Sequence, residues 1–211
     1  MRIILASASP RRRELLARAG LEFGIEAAKV DESLSDKALR DPHGAAQLLA
    51  QRKSSAVACQ VRDKMRKDLN AGRACEQTYI IGADTMVVLD GRIFGKPQDE
   101  GEAVEMLQTL SNRQHEVITG VSVFIVFVNR KGKVDIEEVT FDQTSFVKFK
   151  NLSKADIEAY VACGESMDKA GAYAIQGEGG KLVEFYDGDY DNIVGLPVER
   201  LLQACPELRP E

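Results

Sequence analysis

The sequence predicts a mixed α/β fold, an elongated and twisted mixed sheet in a single domain spanning residues 1–211. Two observations point there. Segments with the apolar pattern of strands interleave with segments of helical period along most of the chain, which packs helices onto a sheet. The middle of the chain carries strands long enough for extended hairpins, which argues against a symmetric doubly wound arrangement.

The elements follow in order. Residues 2–6 form a short apolar run with β-branched side chains, a strand. Ser9 then stands where a helix N-cap belongs, and Pro10 takes the first helical position, where no backbone N–H is needed. The helix over 10–19 turns Leu15 and Leu16 inward and Gly20 stops it. Residues 21–30 read as a second strand. Asp41-Pro42 opens a helix that continues to about Val61, and the polar stretch MRKDLNAGRACE, 65–76, reads as a surface loop or frayed extension. TYIIGADTMVVLDGRIF is a strand, a turn at Asp90-Gly91 and the start of a return strand. Over 99–110, Ala103, Met106, Leu107 and Leu110 share one helical face. A long strand over 116–129 turns near Lys131-Gly132 and returns over 134–149. Ser153 caps a helix to Cys163, residues 181–197 read as a hairpin around 187–189, and Pro197 opens a last helix.

Composition narrows the class of function. Lys and Arg number 28 against 33 Asp and Glu, a net charge of −5, so a broad nucleic-acid footprint is not expected. A few local cations can still hold a phosphate. No apolar run reaches the length of a membrane span, and the chain runs directly into a strand-like segment, so no leader is expected and the cytoplasm is the default location. The four cysteines, Cys59, Cys75, Cys163 and Cys205, show no C-x-x-C spacing, and only His43 and His115 could assist them. Reduced thiols rather than a zinc site are expected.

Five places carry chemistry. In the stretch LASASPRRRELL a strand ends, small residues follow, and a helix begins whose free N–H groups and dipole attract an anion. Arg11, Arg12 and Arg13 oppose that dipole, a conflict that a bound anion would remove; three solvated arginines is the plainer alternative. Successive helical residues point about 100° apart, so not all three reach one ligand. In IIGADTMVV, Asp84 interrupts an apolar strand, where a carboxylate must be paired, metal-bound, acting as a base, or at an edge open to solvent. It shares a face with Gly82, which leaves room beside it, and Met86. Lys53 lies among Ala46, Leu49, Ala50, Ala56 and Val57 on its helix, so it either snorkels to solvent or aims an ammonium into a cleft.

GRIFGKP is not a P-loop: it is one residue short, and Pro97 stands where Ser or Thr must hold magnesium. Lys96 beside Pro97 is still a rigidly placed cation. MDKAGAYAIQGEGG is small-residue-rich and lets a ligand approach its backbone; the amide of Gln176 suits the O4 and N3–H edge of uracil or thymine. Asp31-Glu32 reads as an exposed turn that could add a carboxylate. YDGDYD lacks the spacing and terminal Glu of a calcium loop.

In that order, LASASPRRRELL, VDES, IGADT, GKP, TGV and DKAGAYAIQG resemble the Maf family of nucleotide pyrophosphatases, across nearly the whole chain. The resemblance implies a fold like that of inosine triphosphate pyrophosphatase, with two lobes about a central cleft. It implies hydrolysis of a nucleoside triphosphate to monophosphate and pyrophosphate with a divalent cation, magnesium or manganese. It makes Asp84 the proton acceptor, Lys53, Lys96 and Glu32 further catalytic residues, and Glu32 and Asp84 the metal-holding carboxylates. Ser7, Ser9, Arg11, Arg12, Thr85, Lys169 and Gln176 become substrate-binding residues. The AYxIQG form with Arg11 after Pro10 resembles the branch acting on dTTP and UTP, where Arg11, Thr85 and Gln176 match the specificity positions. Modified pyrimidine nucleotides and a homodimer stay open. A small-molecule nucleotide is the expected partner, with no nucleic acid or membrane. The competing reading is a non-catalytic nucleotide-binding regulator of cell division, which would keep the cations without needing Asp84.

Overall fold

The computed structural model describes residues 1–210. Strand β1 (Arg2–Leu5) leads into α1 (Pro10–Arg18), then β2 (Gly24–Ile25), α2 (Asp36–Leu39) and the long α3 (Pro42–Asn70). Strands β3 (Thr78–Leu89) and β4 (Arg92–Phe94) precede α4 (Glu100–Leu110), and β5 (Gln114–Val128) and β6 (Val134–Phe149) form the central hairpin. The chain closes with α5 (Lys154–Ala162), two 3-10 segments (Ala170–Ala172 and Gly177–Leu182), β7 (Val183–Asp187), α6 (Tyr190–Val194), α7 (Val198–Ala204) and a 3-10 turn (Pro206–Leu208).

All seven strands join one mixed sheet in the order β2-β1-β3-β5-β6-β7, with β4 pairing β3 off that path. Only β1 makes parallel contacts, to β2 and β3; the rest is antiparallel. Alternation along β3 divides the layers. Ile80, Met86 and Val88 face α3, while Tyr79, Ile81 and Ala83 meet α1, α6 and α7, and Val87 and Leu89 meet α4 and α5.

A break in the sheet creates the site. The pairing of β1 with β3 ends at Leu5 with Ile81, and that of β4 with β3 begins at Phe94 with Val87. Residues 82–86 therefore have a strand neighbour only on the β5 side, where pairing is continuous from Thr78 to Val88. Asp84 and Thr85 lie in the middle of this local edge.

Three expected elements differ. The second strand is only Gly24–Ile25, because the four-residue β1 offers partners at Ile4 and Leu5 alone. The helix expected to stop near Val61 runs to Asn70: Val57, Val61 and Met65 repeat every fourth residue and pack on Ile80 and Val126, while good helix formers fill the exposed positions. The hairpin expected around 187–189 does not form. β7 pairs back onto β6, and Asp189 then caps the single-turn α6, its Oδ1 accepting from Asp191 N at 2.8 Å.

The room expected beside Asp84 is also filled. A Cβ at Gly82 would stand 2.4 Å from the Ala50 carbonyl oxygen, and one at Gly120 would stand 2.3 Å from the Ala46 carbonyl carbon. The two glycines let α3 settle directly on β3 and β5.

Candidate active site

The edge at 82–86 forms the floor of a cleft of about 910 Å³. One wall is the end of β1, the start of α1 and part of α3. The other is the β4 end with its Lys96, and the loop carrying Asp168 to Gln176. Every site residue expected from the sequence borders this one space: Ser7, Ser9, Arg11, Arg12, Glu32, Lys53, Asp84, Thr85, Lys96, Lys169 and Gln176. Arg13 is exposed and does not line it, so only two of the three consecutive arginines reach the cleft.

Asp84 and Thr85, consecutive on β3, reach opposite walls. Asp84 lies on the α3 face, and its Oδ1 accepts from Lys53 Nζ at 2.5 Å. The same ammonium lies 2.8 Å from Glu32 Oε1. Lys53 and Asp84 side chains are 16% and 15% exposed, whereas Glu32 is 51% exposed. The hydrogen bond from Lys53, reinforced by the positive field of Lys53, Lys96 and Arg12, holds the Glu32 carboxyl below its usual pKa against the opposing effect of burial.

Thr85 points to the α1 wall, where Arg12 is held by neutral oxygens. Its Nε donates to Gly195 O at 2.7 Å, Nη1 to Ser7 Oγ at 3.2 Å and Nη2 to Thr85 Oγ1 at 3.1 Å. Burial pushes the guanidinium pKa below its usual value, with Asp84 the largest opposing influence. The cleft's carboxylates are taken by lysines: Glu32 and Asp84 by Lys53, and Asp168 by Lys169. Arg11, Arg12 and Lys96 thus have no ion-pair partner among the described residues.

The start of α1 adds neutral donors. Ser9 has the N-cap position, but its side chain caps nothing, so no side chain satisfies the first helical N–H groups. Ser7 Oγ accepts from both Ser9 N and Arg12 Nη1, which leaves its own proton free to donate. Together with the helix dipole these groups suit an anion. Lys169 is engaged within its own loop, donating to Glu165 O at 2.8 Å and pairing with Asp168. The Gln176 amide has no hydrogen-bond partner among the described residues, and it lines the cleft half-buried.

Backbone contact ties the lysine loops together: Gly171 N donates to Gly95 O at 3.0 Å. Gly171 has a φ of 65° and packs its α-carbon against Val87, so a side chain there would meet Val87 at 2.9 Å. Beneath this loop the buried His115 shares a 2.7 Å hydrogen bond with Tyr173. Burial lowers the His115 pKa to about 4, so its imidazole is neutral.

No cluster of three or more His, Cys, Asp and Glu side chains fit to hold a metal ion occurs among the described residues. Two carboxylate oxygens, those of Glu32 and Asp84, do converge on one cationic point at Lys53 Nζ. Magnesium and manganese are commonly held by one or two carboxylates with substrate phosphates and water completing the shell, so this donor set fits a cation brought in with a polyphosphate. Sequence reasoning missed Thr119, Asn192, Gly195 and Asp168 as neighbours of the site. The TGV motif was the available signal for Thr119; the short α6 hid the next two.

The sequence model of one family, described as Maf-like protein, matches residues 2–208. The chain is 42% identical over 202 residues to a dTTP/UTP pyrophosphatase of Clostridium acetobutylicum, covering 95% of this chain and 94% of that protein. It is 45% identical over 201 residues to a dTTP/UTP pyrophosphatase of Clostridioides difficile, covering 95% and 92%. Among solved structures it is similar to a nucleoside-triphosphatase / dITP/XTP pyrophosphatase of Mycobacterium abscessus, with 16% identity, 72% and 76% of the two chains covered and a TM-score of 0.35.

Proposed function

The chain belongs to the Maf family, and we propose that its cleft hydrolyses dTTP and UTP to the nucleoside monophosphate and pyrophosphate. The observation that carries this reading is Asp84. It is a nearly buried carboxylate at a gap in the sheet, on the floor of a cleft in which Arg11, Arg12 and Lys96 have no ion-pair partner among the described residues.

A nucleoside triphosphate carries about four negative charges, so attack on it requires those charges to be offset first. Arg11, Arg12, Lys96 and the open start of α1 supply that offset. A divalent cation held by Glu32 and Asp84 would neutralise phosphate charge and make a bound water more acidic. Asp84 orients a water toward the α-phosphorus and takes its proton. Lys53 holds both carboxylates in place. The bond to the bridging oxygen breaks, and pyrophosphate leaves with its growing charge met by Lys96 and the α1 arginines. The unpartnered Gln176 amide meets the pyrimidine edge.

Incubation with dTTP, UTP, CTP and GTP plus magnesium or manganese tests this. Pyrophosphate released from dTTP and UTP, and lost in Asp84→Asn, is the expected result. Absence of release from any pyrimidine triphosphate rejects the proposed activity, and full turnover by Asp84→Asn rejects the proton acceptor.

A further inference from the structure

The TGV motif has no part in the chemistry above, yet its threonine is one of the few fully buried polar side chains. Thr119 lies directly opposite Thr85 in the β3–β5 pairing. Its Oγ1 donates to the Asn192 carbonyl oxygen at 2.9 Å. A carbonyl oxygen only accepts, so the single hydroxyl proton of Thr119 is committed there. The 2.9 Å contact between Thr85 Oγ1 and Thr119 Oγ1 must then use the Thr85 proton. Thr85 in turn accepts from Arg12 Nη2. The direction of every bond is fixed: Arg12 to Thr85, Thr85 to Thr119, Thr119 to Asn192.

The path closes on itself. Asn192 belongs to α6, and Gly195, just after that helix, accepts from Arg12 Nε. Arg12 is therefore gripped at two nitrogens by two carbonyls, that of Gly195 just after the helix directly and that of Asn192 within it through two hydroxyls. Asn192 is anchored in turn, its Nδ2 donating to Val117 O and Ser145 Oγ, both at 3.0 Å. Bonds aligned head to tail polarise one another, so the circuit is stiffer than separate contacts.

We propose that Thr119 is a positioning residue that fixes the Arg12 guanidinium through Thr85, and that the Thr85 hydroxyl proton is committed to Thr119 rather than donated to the substrate. The kinetic part of the test rests on the proposed hydrolysis; the structural part does not.

Thr119→Val keeps the shape and removes the hydroxyl, while Thr119→Ser keeps the hydroxyl. The Arg12 guanidinium N–H signals, including those of the Nη2 that donates to Thr85 and assigned by their loss in Arg12→Lys, are followed by nitrogen-detected NMR. We expect slow solvent exchange in the wild type and in Thr119→Ser, and exchange at least about tenfold faster in Thr119→Val. With UTP, kcat/KM should fall about tenfold in Thr119→Val and stay within about twofold in Thr119→Ser. The Thr85→Val and Thr119→Val losses should not add in the double variant. Should Thr119→Val not fold, Thr85→Val at the half-exposed cleft floor breaks the same circuit and must give the same NMR change. An unchanged Arg12 exchange rate, equal impairment of Thr119→Ser and Thr119→Val, or fully additive losses would overturn the proposal. If the wild type releases no pyrophosphate from UTP, the proposed activity is what fails, and the exchange rates alone decide the circuit.

Discussion

Lys53 on α3 places its Nζ 2.5 Å from Oδ1 of Asp84 on β3, across a helix–sheet contact that two glycines permit. The pair depends on how low the helix sits. Gly82 and Gly120 lie under Ala50 and Ala46, one and two turns before Lys53. The position of the ammonium is thus set by residues with no side chain at all.

Gly120→Ala tests that dependence. In an open strand Ala is the better residue, but here its methyl would stand 2.3 Å from the Ala46 carbonyl carbon of α3. Thermal or denaturant unfolding should show a loss of about 1–3 kcal/mol from overpacking. Pyrophosphate release should fall even at temperatures where the variant is fully folded. Unchanged stability would mean that α3 is not seated on this glycine.

Lys53→Met leaves the two carboxylates facing each other without their shared cation. The Glu32 pKa, held down mainly by Lys53, should then rise toward its ordinary value in a carboxyl-carbon NMR titration. The KM for UTP should increase about tenfold or more as bare carboxylates repel the triphosphate. A Glu32 pKa unmoved by the substitution would contradict the pairing.

How much of this could be read from the sequence varies with the distance over which each feature is determined. Local signals sufficed for α1, α4, α5 and the long β5–β6 hairpin, because caps, turns and apolar periods belong to neighbouring residues. Asp84 stood out as a carboxylate in a greasy strand. Its openness to a cleft was not legible, since the gap at 82–86 depends on where β1 ends and β4 begins. The last turns of α3, from Met65, read as a surface loop or frayed extension because their polar surface outweighs the contacts of Val61 and Met65. Asp189 reads as a turn residue in the sequence but caps α6, whose Asn192 and the following Gly195 supply the two carbonyls that hold Arg12. The site residues came largely from ordered motifs, whereas their mutual hydrogen bonds needed coordinates.

His115 makes stability depend on pH. Its pKa falls from an ordinary 6.5 to about 4 because the ring is buried. Between those values the unfolded chain binds a proton that the folded chain does not, so stability rises with pH across this range and is lost on acidification. The difference corresponds to about 3 kcal/mol between roughly pH 6.5 and pH 4. Urea unfolding at stepped pH should show that slope in the wild type and a shallower one in His115→Asn. Equal slopes would remove His115 as its source.

Gln176 offers an amide with no internal partner at the edge of the cleft. Gln176→Ala should lower kcat/KM on UTP by about tenfold to a hundredfold, as expected when a base loses a directed hydrogen-bonding group, and should narrow the preference for UTP over CTP. An unchanged ratio of the two rates would place base recognition elsewhere.

The central claim is that water, activated at Asp84, attacks the α-phosphorus. Turnover of UTP in ¹⁸O-labelled water, with both products analysed by mass spectrometry, tests it most directly. The account predicts label in UMP, unlabelled pyrophosphate, and a rate reduced by about 10²–10⁴ in Asp84→Asn. Label in pyrophosphate, or products UDP and phosphate, would contradict it.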